Sequence, residues 1–496
     1  MSKKGIFIAV VVAMSIALVI SHAVAKQFLV GGRPLQLYGY VTQNMGVSLH
    51  SENYDTEEGV NAAMFNMLLE GKYRISKDLD LYASGGFSMD WIYDLKDDDK
   101  SWNDKLFSQS RDKLYIDDEY WQVLKEAHLT WKPGDFYFRV GKQIVKWGET
   151  IGFRLMDQIN PSDGRRGMAD VEFETSVIPI WLVRAEYFPE VTSSWLQDIG
   201  FEVIFNPNVD FIGNQPIRTG NDAGGIWAPN VEIPGPFPGG YMRVGSSVDN
   251  IREPDGSEGH EYGFRIKGIV KDSIITLNYF SGRDDTPVTL SAGPPTFTTA
   301  SDGIMVLHPV NAGYYPRFRF TGATFARDIP FLKAGFLGNV APMVTLEGFY
   351  AFDETFKTTG STLETFDELR WAIGADWKVK IPVLNPMSYF SVAPQFYHQK
   401  IMDYPLGGLT VQEDRYTTTL MISTNYFHGK INPSFFWMRD VDNHADFYKL
   451  AVKYKPTHEW EYALGAVFLE GQEPGNGFQV FDNKDYLYFK LTYKWG

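Results

Sequence analysis

The chain has 496 residues, no cysteine and a formal net charge of −15. The missing cysteines exclude disulfides, thiolate metal sites and thiol nucleophiles, and the negative charge argues against nucleic acid, which wants a basic footprint. Aromatic residues make up 15% and glycine fills 46 positions while mean hydropathy is only −0.23, a composition that suits many half-polar strands better than a uniformly apolar chain.

Lys3 and Lys4, the apolar run 6–20 and Ala23-Val24-Ala25 read as the charged, apolar and cleavage regions of a secretory signal peptide over residues 1–25. The expected mature chain starts near Lys26 and leaves the cytoplasm through the Sec pathway. Removing Lys3 and Lys4 takes the formal charge from −15 to −17. The apolar run is shorter than the ~20 residues a spanning helix needs, and nothing after it is long and apolar enough to span as a helix. A membrane location therefore requires a closed barrel.

Alternation with a period of two runs along the rest of the chain. Apolar faces include Leu35, Leu37, Gly39 and Val41; Phe65, Met67, Leu69 and Gly71; Leu79, Leu81, Ala83 and Gly85; Phe318 and Phe320; Leu369, Trp371 and Ile373; Leu450, Val452 and Tyr454. In 485–496, Leu487, Phe489, Leu491, Tyr493 and Trp495 share a face, as in the terminal strand by which outer-membrane barrels are recognised and inserted. Short turns such as Ser76-Lys77-Asp78, Pro133-Gly134-Asp135 and Lys271-Asp272 alternate with long segments at 92–121, 147–179, 207–260 and 283–315. Trp91, Trp131, Trp181, Trp371, Trp460 and Trp495 fall near strand ends, where interfacial girdles lie. The expected fold is all-β: a transmembrane antiparallel β-barrel of about 18 strands, with 16 the neighbouring even count, short periplasmic turns and long extracellular loops. It forms a single domain over 26–496 in the outer membrane of a Gram-negative cell.

With apolar faces outward, charged side chains fall on the lumen, where water solvates them; a Lys or Arg facing lipid at mid-membrane would cost about 2–4 kcal/mol. The expected pore-lining residues are Arg139, Arg184, Arg265, Lys267, Arg317, Arg319 and Arg370, a wall that favours anions behind an acidic loop rim. The competing reading is that these charges pair with one another along a wide wall. Keeping Phe136, Phe138 and Val140 outward would put Lys142 outward too, unless a bulge near Gly141 turns it. Phe280, Phe325, Phe349 and Phe436 are expected to face inward as an amphipathic patch.

The segment 147–177 is the most informative connection. Its length, its departure next to lumen-directed Arg139 and Gln143, and Arg154, Asp157, Asn160, Asp163, Arg165 and Arg166 within it suit a polar constriction that folds into the barrel and satisfies its own backbone groups. The alternative is a loop projecting outward. Here Lys125-Glu126-Ala127-His128-Leu129, Val140-Gly141-Lys142-Gln143-Ile144-Val145-Lys146-Trp147-Gly148-Glu149 and Asn160-Pro161-Ser162-Asp163, with Asn278-Tyr279-Phe280-Ser281-Gly282-Arg283-Asp284-Asp285 and Gly322-Ala323-Thr324-Phe325-Ala326-Arg327-Asp328 further on, resemble a Gram-negative outer-membrane family catalogued as domain of unknown function 1302. The layout is also similar to alginate-export barrels, without a clear arginine-dense conduit. The resemblance implies an outer-membrane barrel serving envelope traffic of hydrophobic or anionic compounds, and it assigns no chemistry.

The expected function is a porin-like channel or transporter for small polar, anionic or amphipathic compounds. The alternatives are a plugged barrel moving lipid-like substrates and a receptor or structural barrel without transport. No enzyme is expected: the nine histidines show no zinc-protease spacing, and no nucleophile elbow occurs. No cofactor and no metal are called for, the Asp97-Asp98-Asp99 run lacking the spaced ligands and glycine of a calcium loop. Expected partners are outer-membrane lipid, lipopolysaccharide, the barrel-assembly machinery and a small-molecule substrate, with no nucleic acid and with room for a homo-oligomer.

Overall fold

The computed structural model describes residues 26–49, 59–90, 92, 123–150, 154–164, 176–215, 232–237, 240–245, 247–299, 303–333, 339–473, 477–482 and 484–496. The expected signal peptide, Trp91 and the Asp97 run lie outside them. Eighteen antiparallel strands close into one barrel. The first nine are β1 (Arg33–Ser48), β2 (Met64–Arg74), β3 (Leu79–Asp90), β4 (Leu124–Trp131), β5 (Phe136–Gln143), β6 (Ile180–Tyr187), β7 (Leu196–Asn206), β8 (Glu261–Val270) and β9 (Ser273–Arg283). The rest are β10 (Arg317–Asp328), β11 (Met343–Lys357), β12 (Leu363–Val379), β13 (Phe390–Ile401), β14 (Asp414–Ser423), β15 (Ile431–Asp440), β16 (Ala445–Tyr454), β17 (Trp460–Gly471) and β18 (Tyr486–Trp495). Each pairs with its sequence neighbour, and β18 returns to β1, with Trp495 opposite Gly39. A Cβ on Gly39 would lie 2.2 Å from the Leu68 carbonyl oxygen and 2.8 Å from the Trp495 ring, so a glycine there seats the closing tryptophan.

Period two separates the two faces cleanly on most strands. Met67, Leu69, Leu81, Leu129, Val203, Leu277, Ile373, Leu450, Leu464 and Phe489 are exposed on the outside, the apolar band a closed barrel presents to lipid. The connections 75–78, 132–135, 271–272 and 455–459 lie at one end, the turn end; the other, the loop end, carries the long connections 144–179, 207–260 and 284–316 together with the short ones 358–362 and 441–444. At the turn end Trp131, Phe138, Phe136, Tyr187 and Phe201 form a chain of ring contacts across β4–β7, and Trp460, Tyr493 and Trp495 form another beside the closing seam. At the loop end Trp371 donates through Nε1 to His398 Nδ1 (3.0 Å) and Tyr416 stacks on the same imidazole. His398 Nε2 lies 2.7 Å from Asp414, so this histidine is an element of the outward aromatic belt.

Three places depart from simple alternation. At Gly141 the two flanking ladders keep continuous register, so no bulge forms. Instead Gly141 takes φ +132°, and a Cβ there would meet the Ala127 carbonyl oxygen at 2.2 Å. This kink leaves Lys142 fully buried, its Nζ donating to the Leu124 carbonyl (2.7 Å). We expect Gly141→Val to destabilise the folded barrel by about 2 kcal/mol or more, measured as a lower denaturant midpoint for loss of heat-modifiable gel mobility; an unchanged midpoint would mean that the strand relaxes at no cost.

The second departure is β10, whose phase is opposite to the sequence expectation. Phe318 and Phe320 are buried on the inside while Arg317 and Arg319 are exposed on the outside, where Arg319 pairs with Asp353 at the loop end. Phe325 faces outward with them; Phe280 and Phe349 face inward as expected. The third lies in the long connections 207–260 and 284–316, which interleave into two small sheets. One joins Glu232–Pro234, Tyr241–Val244, Met305–His308 and Thr296–Thr299; the other joins Val248–Arg252, Val310–Tyr314 and Val288–Ser291.

Candidate functional site

The connection between β5 and β6 folds on an asparagine. Asn160 Oδ1 accepts from the Val145 backbone N–H (2.8 Å), and its Nδ2 donates to the carbonyls of Gln143 and Ile178 (3.1 Å each), clamping both ends of the segment together. Asp157 Oδ1 accepts from the N–H groups of Trp147 (2.6 Å) and Gly148 (2.8 Å), closing an inner turn. Arg154 Nη2 donates to the Asn160 carbonyl (2.6 Å). Burial lowers the Arg154 guanidinium pKa, opposed by the charges of Asp157 and Asp285. Ser162 and Asp163 bridge to Val177 and Gln215, so the Asn160-Pro161-Ser162-Asp163 motif is stitched to the next long connection. These hydrogen bonds satisfy backbone groups that would otherwise be orphaned away from water. Asn160 and Asp163 are buried, which makes them builders of the segment's fold rather than groups on its water-facing surface. Arg165 and Arg166 lie outside the described residues.

Trp147, Leu155, Met156 and Ile159 form one buried cluster with inner-face residues of the wall, among them Leu182, Ile204, Phe280, Phe320, Phe349 and Tyr397. Two glycines make room for it. A Cβ on Gly263 of β8 would meet the Trp147 ring at 2.6 Å, and one on Gly322 of β10 would meet the Met156 methyl at 2.8 Å. The indole Nε1 of Trp147 donates to Glu202 of β7 (3.4 Å). Glu347 of β11 accepts from the backbone N–H groups of Glu149 (2.7 Å) and Thr150 (3.2 Å) and from the Thr150 hydroxyl (2.8 Å). The segment is thus held by strands β6–β13 from within the barrel, which accounts for the inward phenylalanines of β10: they are the surface it packs on.

The seven residues expected to line the pore divide into three groups. Arg184 pairs with Glu186 (2.8 Å) and Glu202 (3.0 Å), and Arg265 with the other oxygen of Glu202 (2.9 Å); Arg370 is held by Glu354 and Glu368 and lies over the Phe349 ring. All three are inward and largely buried, their charge compensated. Arg139 is inward on β5, donating to Thr130 Oγ1 (3.1 Å) and lying over the Tyr137 ring, and Lys267 shares the inner face of β8 with Arg265 and is exposed to the lumen. Arg317 and Arg319 are not on the inner wall. Glu202, Glu347 and Glu368, the partners of these arginines and of the inserted segment, are brought to them by cross-strand register, which the sequence of one strand does not reveal.

On β16–β18 basic side chains dominate the inner wall. Lys453 (3.5 Å), Lys455 (3.2 Å) and Lys494 (3.6 Å) share the single carboxylate of Glu461 near the turn end of β16–β18. Lys490 lies two residues along the inner face of β18 from Thr492, and Lys449 sits over the Tyr488 ring (5.5 Å). Toward the loop end the same strands turn apolar: Met438, Phe447, Val467, Leu469, Tyr486 and Tyr488 pack with Phe481 from a second inserted segment, the short 3-10 turn Gly477–Phe481, and Phe436, Phe478 and Val480 lie partly buried against them. Among the described residues no cluster of three or more His, Asp or Glu is placed to hold a metal ion.

A closed barrel of this size, apolar outside and polar and loop-filled inside, with its longest connections at one end, defines an outer-membrane porin-like fold. The profile of the family described as "Protein of unknown function (DUF1302)" matches residues 52–495, and the chain belongs to that family. No curated protein matches it in sequence. Similar solved structures include Salmonella typhi OmpF in complex with daunomycin, 11% identical over 95% of this chain and 100% of that one, with a TM-score of 0.39. Pseudomonas aeruginosa OccK5 (OpdH) is 8% identical over 93% of this chain and 97% of that one, with a TM-score of 0.45. An anion-selective porin from Comamonas acidovorans is 10% identical over 93% of this chain and 100% of that one, with a TM-score of 0.38.

Proposed function

We propose that this protein is an outer-membrane channel, secreted with cleavage near Lys26, whose lumen is narrowed by the segment 144–179 and which passes small anionic or amphipathic solutes. The observation that carries the reading is the seating of Trp147 and Met156 in glycine sockets of the wall, together with the hydrogen bonds from Glu149 and Thr150 to Glu347. An anchored segment of this kind leaves β14–β18 and β1–β3 outside its contacts; the second segment, Gly477–Phe481, covers the loop half of β15–β18, and the turn half carries the lysines around Glu461. Eighteen strands enclose more volume than their own side chains fill. Field lines in a narrow lumen follow local residues more than net charge, so the wall prefers anions although the chain is acidic overall. The turn end is the periplasmic end and the loop end faces outside.

Planar-bilayer recording tests this. The barrel is expected to conduct, with reversal potentials in a salt gradient that favour anions; Lys453→Gln with Lys494→Gln should shift them toward cations. Cation selectivity that persists after the acidic loop residues are neutralised would sink the reading. A plugged barrel for lipid-like substrates is the second reading, favoured by the two apolar clusters in the loop half of the lumen.

A further inference from the structure

We propose that the inner wall of β15–β18 is a binding track for a single-headed amphipathic anion, a carboxylate with an unbranched apolar tail, its head on Lys453, Lys455 and Lys494 and its tail against Phe436, Phe478 and Val480. This deepens the channel reading above by naming the class of solute, and it rests on that reading only for the direction of travel.

The track is a gradient laid along four adjacent strands. In the ladder, Lys453 stands opposite Ala463, which stands opposite Lys490, so the two ammonium groups flank a small residue on one level of the wall. One level toward the turn end, Lys494, Lys453 and Lys455 converge on Glu461, three cations for one carboxylate. On the inner face of β16–β18 Glu461 is the only acidic side chain among the described residues. The arginines across the lumen differ in kind: Arg184, Arg265 and Arg370 are largely buried in ion pairs, whereas Lys453, Lys455 and Lys494 keep about half of their side-chain surface open. Excess, solvent-exposed positive charge is what a mobile anion can use; saturated pairs are not.

Toward the loop end the wall becomes apolar without a break. Lys449 over the Tyr488 ring marks the change, and beyond it come Tyr488, Tyr486, Val467 and Leu469, with Phe436, Phe478 and Val480 only partly covered. From Lys453 to Lys449, which stands opposite Phe436, is four residues of strand, roughly 13 Å, so head and tail sites lie within reach of one medium-chain molecule. A simple anion would use only the lower part and a neutral lipid only the upper; the juxtaposition selects a molecule with both.

The test is calorimetric titration of octanoate, acetate and octanol into the full barrel in lipid nanodiscs, corrected against empty discs. Octanoate is expected to bind about tenfold or more tighter than either acetate or octanol. Lys453→Gln with Lys494→Gln should weaken octanoate about tenfold while the barrel keeps its heat-modifiable mobility, and Phe436→Ser should weaken octanoate but leave acetate unchanged. Octanoate binding no tighter than acetate, or unmoved by the lysine variants, would overturn the track. Binding is read without current, so a non-conducting barrel that binds octanoate in this pattern supports the track and refutes only the channel reading, while a conducting barrel without tail dependence refutes the track alone.

Discussion

Replacing residues 148–176 by a short Gly-Ser linker is expected to raise single-channel conductance about twofold or more, because it removes the side chains that fill the lumen against β6–β13. The strands need not move: Asn160 ties Gln143, Val145 and Ile178 to one another, so a linker joining Trp147 to Val177 bridges two ends that already lie close in the fold. The excised chain uncovers Phe280, Phe318, Phe320 and Phe349, so a modest loss of stability accompanies the gain in current. A milder version is Glu347→Ala. It deletes the acceptor of three hydrogen bonds from Glu149 and Thr150, each worth roughly 1.5–3 kcal/mol for a charged partner. Its expected signature is flicker: more open-channel noise at a similar mean conductance. Unchanged conductance and noise in both variants would show that the segment does not obstruct the path.

Deleting residues 493–496 is expected to abolish most of the heat-resistant, folded form. The deletion removes the pairings of Tyr493, Lys494 and Trp495 with Val41, Tyr40 and Gly39, which close β18 onto β1, and the contact of Tyr493 with Trp460. Backbone groups left open at that seam in a lipid environment cost several kcal/mol each. Gel mobility with and without boiling, together with the amount recovered from the outer-membrane fraction, reads the result; normal levels and unchanged mobility would count heavily against the role assigned to this seam.

The barrel was legible because period two and turn chemistry are local signals. The outward faces of β2, β3, β12 and β16 follow directly from residues such as Met67, Leu81, Ile373 and Leu450, and Ser76-Lys77-Asp78 or Lys271-Asp272 could hardly be anything but turns. Local alternation does not settle its own phase where both faces are apolar or amphipathic. In β10 the choice between Phe318/Phe320 and Arg317/Arg319 as the outward pair depends on what fills the lumen opposite, here Met156 and Trp147, far earlier in the chain. The charged wall shows the same limit. Arg184, Arg265 and Arg370 are basic in sequence, but Glu202, Glu354 and Glu368 cancel them through cross-strand register that no single strand reveals. The motif around Asn160 stood out by residue type, while its work as a clamp between Val145 and Ile178 needed the fold. The small sheets in 232–314 leave no mark in the sequence because strands of three to five residues, two of their pairings parallel and non-local, carry almost no periodic signal.

A cross-link between the segment after β5 and β11 tests most directly whether that segment lies inside the barrel. The chain contains no cysteine, so Thr150→Cys with Glu347→Cys can be treated on intact cells with a short bifunctional thiol reagent without background. The account predicts efficient intramolecular cross-linking, seen as altered migration of the unfolded chain, with a fall in conductance noise after linkage. Failure to cross-link, with the thiol introduced at position 150 reacting freely with a bulky impermeant maleimide from outside, would contradict it.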